Sequence, residues 1–117
     1  MESRSIVEWT TDDFPAVVEL AGRISNYVEA NEPETLVFEW FGDDNSGKVI
    51  WYQVYASDEA FLTHAQNMME TGFRAETQQL LTQDRLLLLT PPTDPRTQEM
   101  ARQIGAEQVV PIGGVVR

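Results

Sequence analysis

Histidine is the side chain that exchanges protons most readily near neutral pH, and this sequence contains one, His64. It follows Ser57, a residue typical of a helix start, by about two helical turns. A histidine that points from a helix into a space between that helix and a sheet can take a proton from a phenol. The same pattern also fits a structural histidine on a half-buried helix face. The sequence leaves both interpretations open.

Two further polar residues could act with this histidine. Glu39 stands between aromatic neighbours in a predicted strand, and Asn67 follows His64 by three residues on the same predicted helix face. A carboxylate buried among aromatic rings can act as an acid or a base, but Glu39 can also be an ion-pair partner of Arg85 or Arg74. Asn67 can orient the histidine or a substrate oxygen, or be merely exposed. His64, Glu39 and Asn67 are the candidate catalytic residues.

Four aromatic residues near these positions are candidates for binding a flat ligand. They are Trp40, Trp51, Tyr52 and Tyr55. Aromatic walls suit flat ligands in a cavity. Aromatic residues at alternating strand positions are also typical of a plain core or of a subunit interface, and the sequence does not separate these alternatives.

The composition excludes several other kinds of site. The sequence has no cysteine, which excludes disulfides, thiolate ligands and cysteine nucleophiles, and with a single histidine any histidine-rich metal site would have to be shared between subunits, so we expect no metal. The net charge of −11 argues against nucleic acid and anionic membranes as partners. The first residues do not have the pattern of a signal peptide. No apolar run approaches the roughly 20 residues of a membrane helix, so we expect a cytoplasmic protein.

The candidate residues lie in or next to a predicted β-hairpin over Thr35–Ser57. Two runs rich in β-branched and aromatic residues, TLVFEWF and KVIWYQVY, flank a polar turn bounded by Gly42 and Gly47. Because strand side chains alternate between faces, both faces of this hairpin are largely apolar, interrupted by Glu39 and Gln53. We therefore expect helices to cover one face and a partner subunit or a ligand cavity to cover the other.

The elements around the hairpin predict the fold class. They are a strand over Ser5–Thr10, a helix from Phe14 to near Ala30, a helix that begins at Ser57, a short helical segment over Phe73–Leu81, and a strand over Arg85–Thr90 that is apolar enough to be buried on both faces. Gly22 inside the first helix suggests a close approach to the sheet. The order βαββαβ predicts a ferredoxin-like α+β domain with a four-stranded antiparallel sheet and both helices on one face.

A C-terminal segment adds elements beyond this domain. Asp94 and Pro95 are typical of a helix start and Gly105 of a helix end. Val109–Val116 is apolar and has an extended pattern. We therefore expect a domain over residues 1–90, followed over residues 91–117 by a helix and an apolar tail that pack on the same domain or on a partner subunit.

The hairpin and the helix after it resemble the antibiotic biosynthesis monooxygenase family. That family combines a "TL-aromatic-EW" strand, a "Y-E-aromatic" strand and a helix with acids at its start and a histidine near its second turn. The matching residues are Leu36, Phe38, Glu39, Trp40, Tyr52, Tyr55, Glu59, Ala60 and His64. Gln53 departs from the pattern, since a glutamate is usual there. The resemblance covers roughly residues 5 to 90.

This resemblance implies both an assembly and a chemistry. The assembly is a homodimer in which two four-stranded sheets face each other and close into an α+β barrel. The chemistry is that of an oxidoreductase without metal, haem or flavin, which deprotonates an electron-rich phenol such as a quinol or an anthrone and lets the anion pass an electron to O₂. His64 would be the base or an orienting group, with Glu39 and Asn67 as polar partners.

A non-catalytic alternative remains open. The same fold can serve as a dimeric module that binds a small ligand or stabilises an assembly. The glutamine at position 53 and the single histidine favour this alternative over an enzyme.

Overall fold

A computed structural model describes residues 1–117 and contains five strands and four helices. The strands are β1 (Ser3–Thr10), β2 (Thr35–Asp43), β3 (Lys48–Tyr55), β4 (Thr82–Leu88) and β5 (Glu107–Gln108). The helices are α1 (Phe14–Asn31), α2 (Asp58–Glu70), α3 (Phe73–Leu80) and α4 (Pro95–Gln103). The first seven elements give the predicted βαββαβ order, with α2 and α3 together in the place of the second helix.

The sheet has five strands in the order β2-β3-β1-β4-β5, which corrects the predicted four-stranded antiparallel sheet. The first four strands pair antiparallel as expected, but β5 pairs with β4 in parallel. The chain returns after α4, so that Val109 N donates to Leu88 O at 3.0 Å. Arg85 Nε also donates to Glu107 Oε2 at 2.7 Å. Two polar residues carry no strand pattern, which is why the sequence did not predict β5.

Helix starts follow the capping residues of the sequence. Asp13 accepts a hydrogen bond from Ala16 N at the start of α1, and Ser57 accepts one from Ala60 N at the start of α2. Asp94 caps α4 in the same manner. These side chains accept from backbone N–H groups that have no partner within the helix. The cap at Ser57 fixes where the turns of α2 fall, and hence where His64 points.

All four helices pack on one side of the sheet, which we call the covered face. Side chains of β1, β3 and β4 pack there with residues of α1 and α4 in a cluster that includes Val7, Trp9, Val17, Val49, Leu86, Leu88 and Ala101. A second cluster joins Leu20, Ile24 and Val28 of α1 to Phe38 and Trp40 of β2. Gly22 faces away from both clusters, with nothing within 4 Å of the position of a Cβ atom. The expected close approach at Gly22 is therefore wrong.

The other side of the sheet, which we call the open face, carries apolar side chains but no helix. Its apolar members are Ile6, Val37, Phe41, Ile50, Tyr52, Val54 and Leu87. Ile6 lies directly between Tyr52 of β3 and Leu87 of β4, so these residues form a continuous stripe. Leu87 is only half-buried, whereas its neighbours Leu86 and Leu88 are buried. The prediction that this strand is buried on both faces is therefore wrong for the single chain.

The C-terminal segment divides into a packed helix and an exposed tail. Ala101 of α4 is buried against the covered face. The tail after β5 has no regular structure, and Ile112 is 97% exposed. No helix in the chain has the length and apolar character needed to cross a membrane.

Candidate functional site

His64 on α2 is held by a carboxylate at the end of α1. Its Nδ1 lies 2.7 Å from Glu32 Oε1, and the two side chains are almost fully buried. Glu32 is the C-terminal cap residue of α1, where its backbone N–H donates to Val28 O. Pro33 follows and ends the helix, because the residue before a proline is driven out of the helical conformation. Helix α1 thus delivers a carboxylate to the inner side of α2.

Glu32 has a partner for each of its oxygens. Asn67 Nδ2 donates to Oε2 at 3.1 Å, and Thr35 Oγ1 donates to Oε1 at 2.8 Å. Burial raises the pKa of the Glu32 carboxyl, but the hydrogen bond from His64, the charge of the protonated His64 ring and the hydrogen bonds from Asn67 and Thr35 outweigh it, so that the pKa lies below its ordinary value. Glu32 is therefore a charged acceptor at neutral pH.

The charge on Glu32 determines which nitrogen of His64 carries the proton. An ionised carboxylate can only accept a hydrogen bond, so the proton of a neutral His64 ring is held at Nδ1. Nε2 is left with its lone pair and makes no hydrogen bond within the protein. A carboxylate that orients a histidine in this manner is the arrangement of a general base.

Two aromatic rings fix the orientation of the His64 ring. Phe38 of β2 lies with its ring centroid 5.1 Å from that of His64, and Tyr55 of β3 lies at 5.3 Å. Tyr55 is completely buried, and its hydroxyl donates to Gln53 Oε1. Burial, with a smaller effect from the negative charge of Glu32, raises the pKa of Tyr55 well above its ordinary value. Tyr55 is therefore a permanent hydrogen-bond donor and no rival to His64 as a base.

A cavity of about 170 Å³ lies between the sheet and α2, α3 and α4, and His64 forms part of its wall. Most of the lining is apolar. It includes Val7 and Trp51 of the sheet, Phe61 and Met68 of α2, Met100 of α4 and Ile104 just after that helix. A larger groove of about 330 Å³ lies elsewhere, near Thr11 and Gln79, and contains neither His64 nor Glu32. The smaller cavity is the candidate site, because the only histidine lines it and the Glu32 carboxylate binds that histidine from behind the cavity wall.

The predicted catalytic residues lie on both sides of the sheet. His64 and Asn67 are brought together by Glu32, as described above. Glu39 is exposed on the open face, opposite Tyr52 in the neighbouring strand. It makes no ion pair, because Arg85 binds Glu107 and Glu8 instead. Glu39 is therefore not part of the cavity, and its predicted role as a partner of the histidine has no geometric basis.

The predicted ligand-binding aromatic residues are also divided. Trp51 lines the cavity, and Tyr55 lies behind His64 without lining it. Trp40 packs on Trp51 with ring centroids 4.8 Å apart, but it lines a separate shallow pocket near α1. Tyr52 lies on the open face and cannot contact a ligand in the cavity.

Glu32 is the functional residue that the sequence did not reveal. A carboxylate at the C-terminus of a helix lies at the negative end of the helix dipole, so it needs a specific partner to be stable there. That mismatch is the one signal for Glu32 in the sequence. Glu29 and Glu34 stand close by, however, and spacing does not distinguish the three. No group of three or more His, Cys, Asp or Glu side chains is arranged to hold a metal ion.

Comparison with known proteins shows similarity in structure. No protein-family model and no curated protein matches the sequence. MupZ from Pseudomonas fluorescens has a TM-score of 0.78 at 13% identity, over 99% of this chain and 94% of that one. SnoaB from Streptomyces nogalater, described as a cofactor-independent oxygenase, has a TM-score of 0.66 at 14% identity, over 80% of this chain and 96% of that one.

A third structure is similar over the same share of the chain. It is a candidate antibiotic biosynthesis monooxygenase from Bacteroides thetaiotaomicron, with a TM-score of 0.61 at 15% identity, over 80% of this chain and 92% of that one. The match to MupZ extends over nearly the whole chain, so it includes the C-terminal segment. At identities this low, the structural similarity establishes a shared fold alone.

Proposed function

Because this chain has the fold of the antibiotic biosynthesis monooxygenase-like proteins, we propose that it is a cofactor-independent monooxygenase for a small electron-rich aromatic substrate of the quinol type. One observation carries this proposal. Glu32 orients His64 so that a free Nε2 is available at an apolar cavity. An oriented base in a dry pocket is what the deprotonation of a phenol requires.

The size of the cavity favours a single-ring substrate. Pockets for drug-sized ligands usually exceed about 300 Å³, whereas an apolar cavity of about 150 Å³ holds benzene. The cavity next to His64 measures about 170 Å³. A one-ring quinol fits it, and a three-ring anthrone would have to extend through the open mouth. This narrows the substrate class expected from the sequence.

The reaction balances without any added reductant. His64 Nε2 takes the proton of a phenolic hydroxyl, and the resulting anion passes one electron to O₂. The two radicals combine to form a bond between a ring carbon and oxygen, and the proton on His64 goes to the peroxide. The O–O bond then breaks with loss of the ring C–H, so that one oxygen atom stays on the ring and the other leaves as water. A 1,4-quinol and O₂ thus give a hydroxyquinone and water.

A homodimer through the open face forms part of the proposal. Ile6, Ile50, Tyr52 and Leu87 are half-buried within the single chain and have no helix above them. Exposed apolar stripes of this kind mark interaction surfaces. A second copy of the chain presents an equal stripe, so an isologous interface would cover both.

Dissolved-oxygen consumption with 1,4-dihydroxybenzene and methyl-substituted one-ring quinols tests the proposal. We expect wild type to consume O₂ with one water formed per substrate oxidised, and His64→Ala to lower kcat by about 10²-fold or more, the scale of a lost general base. His64→Gln preserves more of the side-chain volume and should be equally impaired. Met69→Ala, at an exposed position of the same helix, is the matched control and should retain wild-type activity.

The contrary outcomes are distinct. O₂ consumption that persists in both His64 variants would support the monooxygenase proposal but show that His64 takes no part in the chemistry. Binding of quinols without any O₂ consumption would contradict the enzyme and favour the non-catalytic binding module.

A further inference from the structure

Three nearly buried side chains present free polar atoms to the cavity. Ser5, Gln53 and His64 all line it, and each is at most 5% exposed. The polar side-chain atoms of this chain that are fully enclosed and lack a partner are the indole nitrogens of three tryptophans and Thr97 Oγ1. Ser5 Oγ, Gln53 Nε2 and His64 Nε2 also make no hydrogen bond within the protein but are not enclosed. Because all three residues line the cavity, its open space is where these atoms can meet a ligand.

These three groups lie at the same end of the cavity. Ser5 of β1 is directly opposite Gln53 of β3, so their Cβ atoms are about 4.5–5.5 Å apart on the covered face. Gln53 is flanked by Tyr55 along its own strand and by Phe38 across the β2–β3 pair. The rings of Tyr55 and Phe38 are the two that pack against His64. The Ser5–Gln53 pair consequently lies beneath the histidine ring.

The hydrogen bond from Tyr55 determines what Gln53 can offer a ligand. The Tyr55 hydroxyl donates to Gln53 Oε1, and its raised pKa keeps it protonated over the whole working range. The amide nitrogen Nε2 is the part of Gln53 that remains available, and an amide nitrogen can only donate. Ser5 Oγ adds a hydroxyl that can rotate to donate as well. Together the pair recognises a hydrogen-bond acceptor.

From this arrangement we infer that Ser5 and Gln53 bind the substrate oxygen that His64 deprotonates, and that they stabilise it as a phenolate. The inference rests on the proposed function, because it assigns the reacting oxygen of that reaction to two side chains of the sheet. Donors placed where negative charge develops lower the free energy of the charged species in a water-poor site. A glutamate in place of Gln53 would put a second negative charge against the phenolate.

Binding of 4-nitrophenol, an unreactive one-ring phenol whose phenolate absorbs visible light, tests this site without turnover. We expect wild type to bind the phenolate in preference to the phenol, so that the bound probe ionises at lower pH than the free probe. Gln53→Glu should weaken phenolate binding by about 10²-fold, and Ser5→Ala by about tenfold, the range for hydrogen bonds to charged groups. Gln53→Glu keeps an acceptor for Tyr55, which preserves the buried hydrogen bond.

The matched control is Gln79→Glu, which adds the same charge at an exposed position of α3 that does not line the cavity. We expect it to change phenolate binding by no more than about threefold, the difference expected from screening of an exposed charge. Wild type that fails to bind the phenolate would overturn the inference. So would Gln53→Glu and Ser5→Ala variants that fold, by circular dichroism, and bind the phenolate as well as the Gln79→Glu control.

The two proposals can fail separately. Oxygen consumption that depends on His64 but is unchanged in Gln53→Glu and Ser5→Ala would overturn the oxyanion site and leave the monooxygenase intact. Phenolate binding that depends on Gln53, in a protein that consumes no O₂ with any quinol, would support the oxyanion site and overturn the monooxygenase.

Discussion

The covered and open faces of the sheet use the same kinds of residues for different purposes. On the covered face Glu32, His64 and Asn67 are hydrogen-bonded to one another next to a cavity. On the open face Glu39 and Tyr52 lie side by side at the surface, and neither contacts the cavity. Glu32 and Glu39 are the same type of residue. The difference between them depends on whether helices cover the side of the sheet on which each lies.

The two glutamates make this difference measurable. Glu32 is nearly buried and accepts hydrogen bonds from three side chains, whereas Glu39 is exposed and makes none. If the site lies on the covered face, only the first carboxylate contributes to turnover. If the catalytic cavity were instead formed at the dimer interface, the second would contribute.

The largest expected effect is the loss of activity in Glu32→Gln. The amide keeps the size of the side chain but removes the negative charge that holds the His64 proton at Nδ1. In a Ser-His-Asp triad, a proton on the wrong histidine nitrogen costs up to about 10⁴-fold. We expect kcat for quinol oxidation to fall by at least about 10²-fold. Glu39→Gln is the matched variant and should stay within about twofold of wild type. A stronger effect in Glu39→Gln than in Glu32→Gln would place the chemistry on the open face.

The next effect concerns the assembly. Ile6→Glu places a charge at the centre of the open-face stripe, and we expect it to weaken self-association by about 10²-fold or more, since a buried unpaired charge is strongly unfavourable at an interface. Light scattering after gel filtration measures the mass of the species. Met69→Glu adds the same charge on the solvent side of α2 and should leave the assembly unchanged. A dimer that persists in Ile6→Glu but dissociates in Met69→Glu would show that the helices on the covered side form the interface.

Much of the fold was predictable because local physical signals are strong in this sequence. Asp13, Ser57 and Asp94 are good helix caps, and each begins a helix in the structure. The alternating aromatic runs predicted the hairpin for the same reason. Strand β5 could not be predicted, because it consists of Glu107 and Gln108 and exists only through its pairing with an edge that the rest of the chain creates.

The site was predictable only in part, because it depends on contacts between distant positions. His64 and Asn67 lie one turn apart on α2, so helical spacing was enough to relate them. Glu32 reaches His64 across 32 positions of sequence, and no local pattern selects it. Glu39 stands between aromatic residues, which suggested a buried carboxylate. The alternation of strand side chains predicts which residues share a face of the sheet, but not which face the helices cover.

A smaller effect concerns the pH dependence of the stability that the Glu32 carboxylate contributes. The folded-state pKa of Glu32 is below its ordinary value of about 4.5, so as pH falls the unfolded chain takes up this proton first. The stabilisation due to the Glu32 charge is therefore complete above about pH 4.5 and declines as pH falls through the folded-state pKa. Urea unfolding of wild type and Glu32→Gln from pH 7 to pH 3 should show a stability difference that narrows at the acid end. A constant difference would mean that the carboxylate is not stabilised in its charged form.

The smallest expected effect tests whether the outer side of α1 is free in the assembly. Gly22 lies inside α1 with nothing within 4 Å of a Cβ position, so Gly22→Ala should raise the free energy of unfolding by about 0.5–1 kcal/mol through helix propensity. Gly47 is the opposite case, because its φ is 73° and a Cβ would collide with Thr11 O, so Gly47→Ala should destabilise the protein. Urea unfolding measures both. A second copy docked on the helices would leave no room for the alanine at position 22, and a loss of stability there, growing with protein concentration, would move the interface from the open face to the covered side.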